Sequence, residues 1–254
     1  MIFVFYILAA VLIYLSFKSL RGGIDYLNYF RSELARPWSN FAPFATIVAP
    51  CKGLEDGLEE NLVALFEQEY PSFEVIFVVD DSEDGSIAVI EKVAGKDIKT
   101  KLVVAPKATE SSQKVENLRE AVLHANEQSE VFVFVDSDAR PSTDWLRSLV
   151  APLEDVTIGA TTGYRWFISR RPTFASELRN IWNASIASAL GPDTKDNFCW
   201  GGSTAIRRET FERLDVREKW RGTLSDDLTV TRVIKDAGMK VKFVPQALTP
   251  SIGN

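Results

Sequence analysis

Residues 131–135 read VFVFV and run directly into Asp136-Ser137-Asp138. A strand with no polar member has no face to give to water, so it must be covered on both sides, as the central strands of α/β sheets are. Residues 75–79 (VIFVV) repeat the arrangement and end in Asp80-Asp81-Ser82-Glu83-Asp84-Gly85-Ser86. Around them, apolar runs alternate with helical patterns. Residues 44–49 (FATIVA), 73–79, 101–104 and 241–244 read as strands. Residues 54–69, 86–94, 111–126 and 142–153 read as helices, with Leu58, Leu62, Leu65 and Phe66 on one face of the first. This order predicts right-handed crossovers and an α/β fold with a mainly parallel central sheet flanked by helices.

In such sheets ligands collect outside the carboxyl ends of the strands. A single aspartate there is ordinary turn or cap chemistry. Two acidic clusters closing two apolar strands, expected to be neighbours on one rim, point to a site. Residues i and i+2 of an extended segment face the same way, so Asp136 and Asp138 can converge. Their hard oxygens suit Mg²⁺ or Mn²⁺, which keep waters and take diphosphate oxygens as further ligands. A third cluster is Ser225-Asp226-Asp227, opening a helix to about residue 237 with Val230, Val233 and Ile234 as its apolar stripe. Ser225 reads as the N-cap. Asp226 and Asp227 then lie in the first turn, where the helix dipole favours ionised carboxylates that can accept a hydroxyl proton.

Several classes are disfavoured. The formal net charge of −6 and pI of about 5.1 argue against a nucleic-acid binder. No Gly-x-x-x-x-Gly-Lys-Ser/Thr loop and no Gly-x-Gly-x-x-Gly turn follows a strand, which disfavours P-loop and dinucleotide enzymes. The one histidine, His124, cannot build a His-rich metal site, so a catalytic base is expected to be a carboxylate. Cys51 and Cys199 match no metal spacing and read as buried free thiols.

Residues 1–17 (MIFVFYILAAVLIYLSF) carry no charged side chain. With no basic start and no small-residue cleavage site, they read as an uncleaved transmembrane anchor over residues 1–20. Lys18, Arg21, Arg31 and Arg36 follow the span, which puts the rest of a single-pass membrane protein in the cytoplasm. Residues 21–43 read as a juxtamembrane segment and linker. Ile24, Tyr26, Leu27, Phe30 and Leu34 there fit a helix on the membrane surface or one packed on the domain. Residues 44–254 form the expected soluble domain. The sequon Asn183-Ala184-Ser185 would be unused in the cytoplasm.

Pro50-Cys51-Lys52-Gly53, Glu60-Asn61-Leu62, Gln68-Glu69-Tyr70-Pro71, Glu74-Val75, Asp80, Lys114 to Leu118 (KVENL), Asp136-Ser137-Asp138, Gly201-Gly202-Ser203 and Ser225-Asp226-Asp227 stand in a familiar order. Across residues 46–245 the chain resembles the inverting glycosyltransferases of GT-A fold, in their ceramide glucosyltransferase-like branch. The resemblance implies a nucleotide-sugar half at about 44–140 and an acceptor half at about 141–254. It implies that Asp80, or Asp81 in its place, contacts the nucleotide, and that Asp136 and Asp138 hold a divalent metal on the donor diphosphate. Lys52 and Lys114 would line the donor pocket, with Asp226 in the same substrate-binding set. Gly201 and Gly202 would leave room at the acceptor entrance, and Asp227 would be the base. The implied reaction moves a sugar, from a UDP-hexose such as UDP-glucose, to a membrane lipid hydroxyl.

Members of that branch carry Gln/Arg-x-x-Arg-Trp after the third aspartate, then further membrane helices. Arg165-Trp166 precedes Asp227 and has Thr162 where Gln or Arg is required, and Trp220-Arg221 has the order reversed. The alternative expectation is therefore a catalytically impaired nucleotide-sugar-binding protein or a truncated form of such an enzyme. A nucleotidyltransferase ranks below both, because Pro50-Cys51-Lys52-Gly53 is a poor phosphate loop.

Overall fold

The computed structural model describes residues 2–95 and 99–253. Met1 and Asn254, the outer ends of the expected anchor and domain, lie outside the described residues. The chain divides into two compact units, Met1–Arg36 and Pro37–Asn254. The first is one helix, α1 (Ile2–Leu34), long and apolar enough to cross a membrane. Residues 2–20 of the expected anchor and residues 21–34 of the expected juxtamembrane segment are thus a single uninterrupted helix. At 1.5 Å per residue it is about 50 Å long, against about 30 Å of bilayer hydrocarbon.

In the second unit the elements run β1 (Ala45–Pro50), α2 (Leu58–Phe66), β2 (Phe73–Val79), α3 (Ser86–Ala94), β3 (Thr100–Val104), α4 (Gln113–Ala121), β4 (Val131–Val135) and α5 (Trp145–Val150). They continue with β5 (Ile158–Ser169), α6 (Phe174–Ala187), β6 (Ser203–Arg207), α7 (Arg208–Arg213), α8 (Val216–Lys219), α9 (Asp226–Asp236) and β7 (Lys240–Gly253). The sheet has seven strands in the order β3-β2-β1-β4-β6-β5-β7. β1 pairs parallel with β2 and β4, β2 with β3, and β5 with β7. Among the described residues, β6 alone of these strands is antiparallel to its neighbours. One expectation needs correction. β2 and β4, the strands that end in aspartates, are not neighbours, because β1 lies between them.

The apolar strand behaves as its composition requires. Val131, Val133 and Val135 enter one core with Leu62, Leu65 and Trp145. Phe132 and Phe134 enter the core on the opposite face. There they meet Phe211 and Trp220 in edge-to-face pairs with centroids 5.2 and 5.4 Å apart. Each such pair contributes about 0.5–1.5 kcal/mol beyond its buried area.

Helix ends explain most differences from the sequence expectation. α2 begins at Leu58 rather than residue 54 because Gly57 sits at φ 80°, a left-handed conformation that breaks the turn before it. Ser112 caps α4 by accepting from the Val115 N–H, and Ser225 caps α9 by accepting from Leu228. Residues 37–43, expected as a linker, are bound to the domain. Phe41 and Ala42 pack on the core, Arg147 donates to the Ser39 carbonyl at 3.0 Å, and Tyr70 donates to the Pro43 carbonyl at 2.6 Å. Asn183 of the sequon is buried and donates to the Arg165 carbonyl at 2.8 Å.

Candidate active site

The chain leaves β1 toward β2 and β3 on one side and returns to β4 on the other. The carboxyl ends of β1 and β4 therefore flank a topological switch point, where open α/β sheets bind ligands. A cleft of about 250 Å³ lies there, lined by Cys51, Lys52 and Glu55 after β1, Lys114 and Asn117 of α4, Asp136 and Asp138 after β4, and Arg165 of β5.

Asp136 and Asp138 converge, as their spacing predicts. One guanidinium spans both: Arg165 lies 3.1 Å from Oδ2 of Asp136 and 3.1 Å from Oδ2 of Asp138. Lys114 holds the other oxygen of Asp136 at 2.7 Å and lies 3.5 Å from Asp226. Ser251 of β7 donates to Asp138 at 3.1 Å. Burial alone would lower the Lys114 pKa, but Asp136 and Asp226 outweigh it and hold the ammonium above its ordinary range. Burial raises the Asp226 carboxyl, against the pull of Lys114, with Asp227 and Asp136 adding to the rise. Glu55 is raised first by burial and then by the two cleft aspartates.

The loop carrying these aspartates is held by the Glu60-Asn61-Leu62 element. Asn61 donates to the Ser137 carbonyl at 3.1 Å and accepts from Arg140 at 3.0 Å. Asp227 faces a different set of donors from Asp226. Its Oδ1 accepts from Ser225 and from the Leu228 N–H, and its Oδ2 accepts from the Gly201 N–H at 3.2 Å. Asp226 and Asp227 thus point one carboxylate at Lys114 and the other at the Gly201 backbone.

Gly201 and Gly202 do not leave empty space. A Cβ on Gly201 would collide with Oδ2 of Asp226 and come within 3.0 Å of Nζ of Lys114, and one on Gly202 would collide with the Trp200 ring. Their missing side chains let the backbone approach the acidic cluster closely. Lys52 lines the cleft with its side chain exposed. Asp80 and Asp81 lie on the same rim after β2, with Lys107 at 3.3 and 3.4 Å from them. Asp84 is structural: it accepts from Gly53 and Ser86, joining the β1 and β2 loops, and these bonds hold its carboxyl below the ordinary value although burial opposes them.

Arg165 is the residue sequence reasoning missed. In the sequence it stands out only as half of a displaced Arg-Trp motif. Its signal was its place in a strand: β5 has a register break between Thr162 and Tyr164, and such bulges re-aim the side chains beyond them. Gly163 permits it, since any Cβ there would collide with the Ala247 carbonyl. Arg165 also lies over the Trp200 and Phe167 rings at 5.1 and 5.2 Å, cation–π contacts that fix its direction. Cys51 and Cys199 are buried free thiols, pushed up to about 12 chiefly by burial.

Residues 3–254 match the family described as Glycosyl transferase family 21. The chain belongs to glycosyl transferase family 21. This agrees with the branch named from the motifs, and it makes the chain a member of a glycosyltransferase family. An N-acetylglucosaminyltransferase of Rhizobium leguminosarum bv. viciae is 26% identical over 229 residues, covering 84% of this chain and 52% of the relative. One of Rhizobium sp. (strain N33) is 26% identical over 234 residues, covering 84% and 49%. The family 21 chain therefore spans about half the length of these relatives. Its fold is GT-A. It is shared with mannosyltransferase PcManGT from Pyrobaculum calidifontis in complex with GDP-Man and Mn²⁺ (TM-score 0.60, 23% identity, 95% of this chain and 67% of that one). It is also shared with GalNAc-T7 bound to UDP, GalNAc and Mn²⁺ (TM-score 0.62, 16% identity, 84% and 44%).

Proposed function

We propose that this chain transfers a sugar, with inversion, from a nucleotide sugar to a membrane lipid hydroxyl. The observation that carries the reading is the convergence of Lys114 and Arg165 on Asp136, with Asp226 against Lys114, in the crevice at the switch point. The donor is read as a UDP-hexose such as UDP-glucose. The relatives' N-acetylglucosaminyltransferase activity makes UDP-N-acetylglucosamine the next donor to test.

The residues fit a divalent cation. Oδ2 of Asp136 and Oδ2 of Asp138 each lie 3.1 Å from a terminal nitrogen of the one Arg165 guanidinium. Among the described residues no cluster of three or more His, Cys, Asp or Glu could hold a metal, but Mg²⁺ or Mn²⁺ commonly binds through one or two carboxylates plus phosphate oxygens. Asp136 and Asp138 would hold it, and it would neutralise charge on the departing diphosphate. Both GT-A structures named above contain Mn²⁺.

The chain's own residues do the rest. Lys114 and Arg165 bring positive charge to the diphosphate as it leaves. Asp227 takes the proton of the acceptor hydroxyl while that oxygen bonds the anomeric carbon and the carbon–diphosphate bond breaks. One displacement inverts the anomeric centre. Asp80, or Asp81 in its place, contacts the nucleotide, Lys52 lines the donor side, and Gly201 and Gly202 border the acceptor side. On this division residues 44–140 carry the donor and residues 141–254 the acceptor. Leu224 and Leu228, exposed on either side of the Asp226-Asp227 pair, suit a lipid acceptor. α1 is read as a single-pass anchor with the domain in the cytoplasm, from the basic residues that follow it.

The test is transfer from labelled UDP-glucose or UDP-N-acetylglucosamine, with Mn²⁺, to ceramide or diacylglycerol by the full chain in vesicles. A product of inverted configuration supports the reading. Donor binding without transfer or hydrolysis favours a nucleotide-sugar-binding protein instead, the reading supported by Arg165 already standing between Asp136 and Asp138.

A further inference from the structure

α6 is turned inside out by the standards of a soluble domain. A surface helix normally buries its apolar stripe and shows its polar face to water. α6 buries Ser176, Asn183 and Ala187. It exposes Phe174, Leu178, Ile181 and Trp182, with Phe174 86% and Trp182 71% exposed. These four recur at i, i+4, i+7 and i+8, so they form one continuous stripe. The orientation is fixed by specific contacts rather than by loose packing. The capping box of Thr173 and Ser176 sets the start of the helix. Asn183 ties its middle to the Arg165 carbonyl at 2.8 Å, and Arg179 lies over the Phe167 ring at 4.4 Å.

Charge says what covers this stripe. The whole chain is acidic, with a net charge of −6, yet between Arg165 and Leu190 the only acidic residue is Glu177. The same stretch carries Arg170 and Arg171 at the approach to α6 and Arg179 within it, all exposed. An exposed aromatic and aliphatic face, in a stretch with exposed arginines and one acidic residue, is the composition of a helix that lies in the headgroup boundary of an anionic bilayer. The chain also carries a helix long and apolar enough to cross such a bilayer.

We infer that α6 is a second membrane contact, a helix that docks its Phe174–Leu178–Ile181–Trp182 stripe on an anionic lipid surface with Arg170, Arg171 and Arg179 at the headgroups. Because Asn183 and Arg179 fasten α6 to the strand that delivers Arg165, docking holds the Arg165 side of the cleft beside the bilayer. The inference needs neither a particular donor nor turnover.

The test uses the full chain reconstituted in vesicles of phosphatidylcholine with phosphatidylglycerol. Ile181→Cys is labelled with an environment-sensitive nitrobenzoxadiazole probe. Cys51 and Cys199 are each 1% exposed, so labelling goes to the new thiol. Glu127→Cys, exposed just ahead of β4 at the opposite rim, is the control. Docking predicts blue-shifted emission at position 181, quenching by lipids carrying a nitroxide on the acyl chain, and neither effect at position 127. It also predicts loss of both effects in phosphatidylcholine alone and in the Arg170→Gln, Arg171→Gln variant, which keeps the Arg179–Phe167 contact. Emission at 181 like that at 127 would overturn the inference. So would a shielded probe that lipid nitroxides do not quench, which would mean a protein surface covers α6. Equal quenching with and without phosphatidylglycerol would overturn it as well.

Discussion

The Arg165 guanidinium stands 3.1 Å from the Asp138 carboxylate, and its other terminal nitrogen stands the same distance from Asp136. On the proposed function, a divalent cation held by Asp136 and Asp138 would compete with Arg165 for these oxygens. Arg165→Ala is expected to tighten Mn²⁺ binding about tenfold, or roughly 1.4 kcal/mol, while weakening metal-free donor binding. Calorimetric titration of Mn²⁺ and of UDP-glucose into wild type and variant checks both. An unchanged Mn²⁺ affinity would remove Arg165 as the competitor.

Asp226 and Asp227 are adjacent in sequence but answer to different partners, so their amides should fail differently. Asp227→Asn keeps an acceptor for the Gly201 N–H but cannot take a proton. It is expected to lower kcat by about 10²–10⁴ and leave donor affinity unchanged. Asp226→Asn removes a charge from Lys114 and should act on donor affinity first. Kinetics paired with donor titration separates the two, and equal loss of kcat in both variants would defeat the assignment.

The buried Asp226 carboxyl has its pKa raised, first by burial. The folded chain therefore holds that proton to higher pH than the unfolded chain does. Its contribution to stability is fully present below the ordinary value of 3.8 and is lost as pH rises through the raised folded value. Asp226→Asn cannot titrate, so its melting temperature relative to wild type should rise with pH above about 4. Melting in detergent from pH 4 to 7 measures this, and parallel curves for the two proteins would refute it.

Gly202→Ala puts a methyl against the Trp200 ring and within 2.6 Å of Oδ2 of Asp136. Neither neighbour can yield freely, since Trp200 lies under Arg165 and Asp136 is held by Lys114. Overpacking of this kind costs about 1–3 kcal/mol, read as a lower unfolding midpoint with weaker donor binding. A midpoint equal to wild type would show that the loop can shift after all.

Much of the sheet could be read from the chain because its strands are nearly pure in composition. VFVFV has one consistent solution, buried on both faces. The register of Asp136 and Asp138 follows from the two-residue period of extended backbone. β5 was harder to read: Gly159, Thr161, Thr162, Gly163 and Arg165 interrupt its apolar pattern, and it is the break after Thr162 that sends Arg165 to the cleft. The neighbour of β4 could not be read either. Strand order depends on which crossovers close, a matter of pairings between distant segments, and β1 rather than β2 takes that place. α6 escaped because period analysis finds a stripe without saying which side of it meets the domain.

Asp138 receives a hydrogen bond from Ser251, 113 residues further along the chain, and Ala139 bridges to the same serine. The acidic loop thus waits on a strand made much later. A ribosome adds about 5–20 residues per second, so Asp138 and its loop spend several seconds without that clamp while α1 is already available to the membrane. During that interval only partners made earlier, such as Asn61 and Lys114, are available to hold the acidic loop, and the joining of β7 to β5 is the event that completes its support.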